Sequence, residues 1–210
     1  MLFRSSQCSV NAAGASVVLS GNQLTLNLPL SFQAAFGGAK SVYAYAGDTA
    51  GLNSGWHPLG TWTVSEAPSV VSVTPSSGTG SSQTFAITVS DPGGAAAINT
   101  VYVLVNNGFT AISGCYLLLQ PGSTNSLSLW SNQATAFQVS TVGSGGALSN
   151  SQCSVNAAGA SVVLSGNQLT LNLPLSFQAA FGGAKSVYAY ASDTAGLNSG
   201  WQPVGTWIVP

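Results

Sequence analysis

The segment QLTLNLPLSF occurs twice in this chain, at residues 23–32 and at residues 168–177. In each copy a Leu alternates with Gln, Thr, Asn, Pro or Ser until the segment ends on Phe32 or Phe177. Successive side chains of a β-strand point to opposite faces, so one face of each segment is wholly apolar. The alternation therefore predicts a strand that covers a hydrophobic core, with Leu24, Leu26, Leu28, Leu30 and Phe32 as its core face in the first copy.

The repeat extends well beyond this strand. Residues 6–64 recur as residues 151–209, and only four of the 59 aligned positions differ, namely Gly47/Ser192, His57/Gln202, Leu59/Val204 and Thr63/Ile208. A unit of this size indicates a tandem array of domains. We interpret residues 66–210 as one complete unit and residues 1–65 as the C-terminal half of a truncated unit, because residues 66–150 occur only once.

The charge content excludes several classes of partner. Only 3% of the residues are charged, with three Lys and Arg against four Asp and Glu, whereas about a quarter is usual. A nucleic-acid surface needs clustered cations, so we expect no nucleic-acid partner. Apolar runs such as VYVLV at 101–105 fall far short of the roughly 20 residues that span a bilayer, so we expect no membrane insertion.

Further alternating or apolar segments are separated by turn-forming residues. Turns are indicated at 75–81, 91–94, 121–125, 143–146, 165–167 and 182–183, where Gly, Pro, Ser, Asp and Asn are frequent. Strands are predicted at 70–74, 84–90, 98–106, 115–120, 126–131, 137–141, 162–165, 186–191 and 205–209. No segment favours a helix. On the order of ten short strands in one unit predict an all-β protein, specifically a β-sandwich.

Two segments of the complete unit carry a resemblance. PSVVSVTPSSGTGSSQTFAITVSDPGG at 68–94 and SVYAYASDTAGLNSGW at 186–201, followed by GTWIV at 205–209, resemble the immunoglobulin-like or fibronectin-III-like repeats of large bacterial extracellular proteins of acidobacterial type. The resemblance implies an immunoglobulin-like β-sandwich in a secreted or cell-surface array that spaces, adheres or assembles. It supplies no catalytic residues.

The three cysteines fit an oxidising compartment. The complete unit contains Cys115 and Cys153, and Cys8 is the counterpart of Cys153 in the first copy. We expect a Cys115–Cys153 disulfide that closes a loop of roughly forty residues. The alternative is a pair of buried thiols that pack as small apolar side chains. A zinc site is not expected, since there is no CxxC motif and only one His.

The remaining polar residues do not predict a catalytic site. His57 is replaced by Gln202 in the second copy, which excludes a catalytic or metal-binding role common to both copies. Asp48, Asp91 and Asp193 lie in turn sequences, where a carboxylate caps its own backbone. Together with Glu66 they are too few to predict a calcium site. We therefore expect no enzyme, no metal and no cofactor.

The aromatic residues are the best candidates for a ligand site. A hairpin of residues 115–131 that turns at 121–125 pairs Leu119 with Leu127 and Leu117 with Leu129 on the core face. The same register places Tyr116 opposite Trp130 on the outer face, where an exposed aromatic pair could stack on a glycan. The alternative is an ordinary cross-strand pair that residues 131–150 or a neighbouring module cover. Four further tryptophans are expected in the core and at contacts between modules, namely Trp56, Trp62, Trp201 and Trp207.

These observations predict a non-enzymatic structural or adhesive repeat module of a large secreted or cell-surface bacterial protein. A carbohydrate-binding module that uses Tyr116 and Trp130 is the alternative. Both copies of the repeated half could pair with the single segment 66–150, and the C-terminal copy is expected to do so because it follows that segment directly. Residues 6–64 would then retain an uncovered apolar face, which predicts association with neighbouring repeats or with other copies of the chain.

Overall fold

The computed structural model describes residues 7–33 and 36–210, and the chain divides into two compact units between Glu66 and Ala67. The described residues form β-strands, turns and a few single turns of 3₁₀-helix. All paired strands are antiparallel, apart from one isolated parallel bridge between Thr79 and Ile208. The prediction of an all-β protein is confirmed.

The described residues of unit 1, which ends at Glu66, form three separate two-stranded pairs. Its strands are β1 (Cys8–Val10), β2 (Ser16–Ser20), β3 (Gln23–Asn27), β4 (Leu30–Phe32), β5 (Gly38–Ala44) and β6 (His57–Val64). The pairs are β1 with β4, β2 with β3, and β5 with β6.

Unit 2, residues 67–210, contains two six-stranded sheets. Its strands are β7 (Ser69–Thr74), β8 (Ser82–Ser90), β9 (Ile98–Asn106), β10 (Cys115–Gln120), β11 (Ser126–Trp130), β12 (Phe137–Thr141), β13 (Ala147–Ser149), β14 (Cys153–Asn156), β15 (Ser161–Ser165), β16 (Gln168–Phe177), β17 (Gly183–Asp193) and β18 (Gln202–Val209). The first sheet has the order β12-β11-β10-β9-β17-β18, and the second has the order β13-β14-β16-β8-β7 with β15 also paired to β16.

One hydrophobic core lies between these two sheets. Its fully buried side chains come from alternate positions of strands in both sheets, including Phe85, Ile87, Leu117, Leu119, Leu127, Leu129, Leu169, Leu171, Leu173 and Leu175. Because a single cluster joins the inner faces of both sheets, the two sheets form the layers of one domain, an arrangement consistent with a β-sandwich.

The predicted disulfide is confirmed. Cys115 begins β10 of the first sheet and Cys153 begins β14 of the second, and their Cα atoms are 5.6 Å apart. The bond therefore ties the two layers together across the core.

Asn150 connects the two sheets beside the disulfide. Its Nδ2 donates to the carbonyl oxygens of Gly114 (3.1 Å) and Trp130 (3.0 Å), while its Oδ1 accepts from the backbone N–H groups of Gln152 and Cys153, both at 2.9 Å. All four hydrogen-bonding positions of the amide are thus used, which fixes β14 against the first sheet.

A residue without a backbone N–H predicts an edge strand or a bulge, and this expectation is wrong for Pro174, which lies inside β16. β16 pairs with β8 without a break from Gln168 to Ser176. On its other side, the ladder with β14 ends at Leu175 and the ladder with β15 begins at Asn172. The 3₁₀ turn Ala157–Gly159 lies between β14 and β15. The missing N–H of Pro174 falls beside this gap in the neighbouring ladder, so no hydrogen bond of the sheet is lost.

Candidate functional site

The outer face of the first sheet of unit 2 carries a continuous group of aromatic rings. This group, called the aromatic surface below, consists of Tyr102, Phe109, Tyr116, Trp130, Phe137, Tyr188, Tyr190 and Trp201, with neighbouring ring centroids 5.1–6.1 Å apart. Such spacings are those of interacting aromatic pairs.

Tyr116 lies at the centre of this surface. The register pairs Leu117 with Leu129 and Leu119 with Leu127, as the sequence predicts, and it brings Tyr116 against Trp130 with the centroids 5.6 Å apart and the planes 22° apart. On its other side Tyr116 stacks on Tyr102, at 5.7 Å and 19°. Both faces of the Tyr116 ring are therefore covered by neighbouring rings.

The polar atoms of Tyr116 and Trp130 are shielded from solvent. Burial, and to a smaller extent Tyr102, raises the pKa of Tyr116 to about 12. The indole Nε1 of Trp130 is buried and has no hydrogen-bond partner among the described residues. Phe109 and Phe137 are the most exposed rings of the aromatic surface, so any contact with an external ligand would involve these two rings most directly.

Trp201 belongs to the aromatic surface, whereas Trp207 belongs to the core. The Trp201 ring is 5.6 Å from that of Tyr190, while the Trp207 ring is 5.2 Å from that of Phe85 and its Nε1 donates to the carbonyl of Gly80 at 2.8 Å. The core prediction is confirmed for Trp207, whereas Trp201 lies outside the core and a contact between modules stays a prediction for it. Trp201 precedes β18 and so lies outside its alternation.

Unit 1 presents a second candidate site. Its open face is defined here as Leu24, Leu26, Leu28, Leu30, Val42 and Trp62, all of which are exposed. Leu24 is 64% exposed and its counterpart Leu169 0%; Leu30 is 45% exposed and Leu175 1%. Trp62 is 61% exposed and Trp207 4%. Since the two copies are nearly identical in sequence, the burial in unit 2 comes from the strands of residues 67–150, which cover the second copy.

A pocket of about 340 Å³ lies on the open face, lined by Leu28, Leu30, Phe32, Val42 and Trp62. All five counterparts are core residues of unit 2. Three of these counterparts contact or pair with Phe85: its ring is 6.4 Å from Phe177 and 5.2 Å from Trp207, and it is the register partner of Leu173. The pocket thus corresponds to the place that a phenylalanine fills in unit 2.

His57 has a structural partner that explains its replacement. Its Nε2 donates to the carbonyl of Ser54 at 2.7 Å, and in unit 2 the Nε2 of Gln202 donates to the carbonyl of Ser199 at 3.1 Å. Both side chains supply one donor to the same turn, so the exchange preserves the local structure.

The aspartates cap turns, as predicted. Oδ1 of Asp48, Asp91 and Asp193 each accepts a backbone N–H from its own turn, at 2.7–2.9 Å. Burial raises the pKa of Asp91; the hydrogen bond from Gly93 opposes this, and the charge of Asp193 adds to it. Within residues 7–33 and 36–210, no three His, Cys, Asp or Glu side chains converge as metal ligands would. No helix in that part of the chain is long and apolar enough to cross a membrane.

Comparison with known proteins returned no match, either to a protein-family model or to a curated protein sequence.

Proposed function

We propose that this chain is a non-enzymatic structural or adhesive segment of a large secreted or cell-surface bacterial protein, built from immunoglobulin-like units in tandem. In this proposal, residues 6–64 associate with neighbouring repeats or with other copies of the chain. The open face of unit 1 is the observation that carries the proposal, because apolar patches of this kind are commonly interaction surfaces.

Two further features support an extracellular role. The Cys115–Cys153 disulfide is typical of oxidising compartments. The low charge content means that few ion pairs could respond to changes in pH or salt outside a cell.

Light scattering tests the proposal with a matched pair of variants. Leu30 and Ser31 are neighbours in β4, and their counterparts Leu175 and Ser176 are buried and exposed, respectively. At equal concentration, the native chain and Ser31→Asp should self-associate, Leu30→Asp should shift towards monomer, and residues 66–210 alone should be monomeric. A native chain that stays monomeric at all concentrations would contradict the proposal.

A carbohydrate-binding module is the second candidate, because Tyr116 and Trp130 lie on a continuous aromatic surface whose edge rings are exposed. Trp130→Ala in the full chain should then abolish retention on insoluble cellulose or chitin and leave the melting temperature unchanged. Trp56→Ala, which alters an exposed tryptophan of unit 1, serves as the control. A large fall in melting temperature for Trp130→Ala would instead identify Trp130 as a packing residue.

A further inference from the structure

We propose that the open face of unit 1 is a binding site for a polypeptide segment with the sequence features of residues 66–150, and that a phenylalanine of this segment fills the pocket. The segment would complete unit 1 as residues 67–150 complete unit 2. This proposal rests on the proposed function because both use the open face of unit 1, and it adds which kind of segment covers that face.

The residues that line the pocket are the same in the two copies. The four positions that differ between the copies are Ser192, Gln202, Val204 and Ile208 in unit 2, and none of them is buried there. None of their counterparts lines the pocket. A segment that fits the second copy therefore meets the same apolar side chains around the pocket on the first copy. It differs there in two contacts: Ser192, which hydrogen-bonds to Thr100 at 2.6 Å, is Gly47, and Val204, which packs against the core, is Leu59.

Two positions of the segment determine the fit around Trp62. In unit 2 the Phe85 ring meets the edge of Trp207, the counterpart of Trp62, at 5.2 Å and 80°. On another side Trp207 lies directly against Gly78, where an added Cβ would be only 2.3 Å from the indole ring. An incoming segment must therefore carry an aromatic side chain at the position of Phe85 and a glycine at the position of Gly78.

Two strands of unit 1 are also shorter than their counterparts in unit 2. β16 runs for ten residues in unit 2, where it pairs with β8, but the identical sequence in unit 1 is divided into β3 and β4 by Leu28 and Pro29. Likewise β17, which pairs with β9, has eleven residues, whereas β5 has seven. Strand addition by a segment like β8 and β9 would supply the missing ladders in both layers.

The number of copies of each segment in the chain decides where the bound segment can come from. The chain holds two copies of the repeated half but one copy of residues 66–150. A molecule that lent its own 66–150 segment would uncover its residues 151–209, and the Cys115–Cys153 bond opposes that exchange. The occupant is therefore a segment of this type that is not already paired, and it competes with self-association for the open face.

The test adds a separate polypeptide of residues 66–150 to the full chain. A 1:1 complex should form, self-association should disappear, and Trp62 fluorescence should shift to shorter wavelength, a shift that Trp62→Phe removes. Phe85→Asp or Gly78→Val in the added polypeptide should weaken binding at least about tenfold, because each places a charge or a clash in the pocket. Thr84→Asp, on the exposed face of the same strand, should change binding by less than about threefold because that position faces water.

A fusion that places residues 66–150 directly before Ser6 keeps the test decisive if the separate polypeptide is insoluble. This chain should be monomeric and should bury Trp62. Failure of both the fusion and the added polypeptide to cover Trp62, while the native chain self-associates, would overturn this inference and leave the proposed function standing. Binding by the added polypeptide to a native chain that is monomeric would contradict the proposed self-association and support this inference. Equal binding by Phe85→Asp would overturn the role of the pocket.

Discussion

The burial of Tyr116 in the aromatic surface makes the stability of unit 2 depend on pH in the alkaline range. Its pKa in the folded state, about 12, lies above the ordinary value of 10.0, so the folded state holds this proton more tightly than the unfolded state does. The contribution of the protonated Tyr116 to the free energy of unfolding is fully present below pH 10 and is lost as the pH rises from 10 to about 12. Tyr116→Phe should therefore reduce the loss of unfolding free energy that unit 2 shows over this range.

Urea unfolding at several alkaline pH values measures this effect. Tyr43→Phe is the control, because Tyr43 is an exposed residue of unit 1 and should leave the alkaline stability of unit 2 unchanged. A Tyr116→Phe variant with the native slope would show that Tyr116 ionises as an exposed phenol does.

At the scale of single elements, local alternation was enough to find most strands. The predicted strands 98–106, 115–120 and 137–141 have the observed bounds, and the others differ by one to three residues at one end, except β17, which extends beyond the prediction at both ends. β13 and β14 were not predicted. Each has only three or four residues, and both are defined by ladders to distant partners rather than by a periodic pattern.

The candidate sites were predictable to different extents. Tyr116 and Trp130 followed from the register of one hairpin, because a short turn fixes which residues lie opposite each other. Phe109 and Trp201 reach the aromatic surface from connecting segments, for which the sequence offers no periodicity. The pocket on unit 1 could not be predicted from the sequence. Its relation to a phenylalanine became clear only because the structure places Phe85 against the counterparts of the residues that line it.

The disulfide stabilises unit 2 through the loop that it closes. Cys115 and Cys153 are separated by 38 residues, and loop entropy for such a link contributes about 4 kcal/mol to the free energy of unfolding. Replacing both residues with Ser should destabilise unit 2 by up to about this amount, as measured by urea unfolding. Cys8→Ser, in unit 1, should leave the transition of unit 2 unchanged; an equal effect of both changes would contradict this account.

Nearly the same sequence occurs in two environments in this chain. Full burial of a leucine side chain contributes about 1.5–3 kcal/mol, and the leucines of the open face are about half exposed where those of β16 are buried. Unit 2 also has the disulfide and the Asn150 hydrogen bonds between its sheets. The stabilities of the two copies should therefore differ by several kcal/mol although their sequences are nearly identical.

Hydrogen exchange on the full chain tests this difference with an internal control. Peptides that include Gly47 differ in mass from those that include Ser192, so the segments 38–47 and 183–192 can be followed separately in one sample. β17 pairs with both β9 and β18, whereas among the described strands β5 pairs with β6 alone. Amides of 183–192 should therefore exchange far more slowly than those of 38–47.

Addition of the 66–150 polypeptide should slow exchange in 38–47 and leave 183–192 unchanged. Equal protection of the two segments in the chain alone would mean that unit 1 is already covered, and the open face could then be neither the interface between copies nor a site for a further segment.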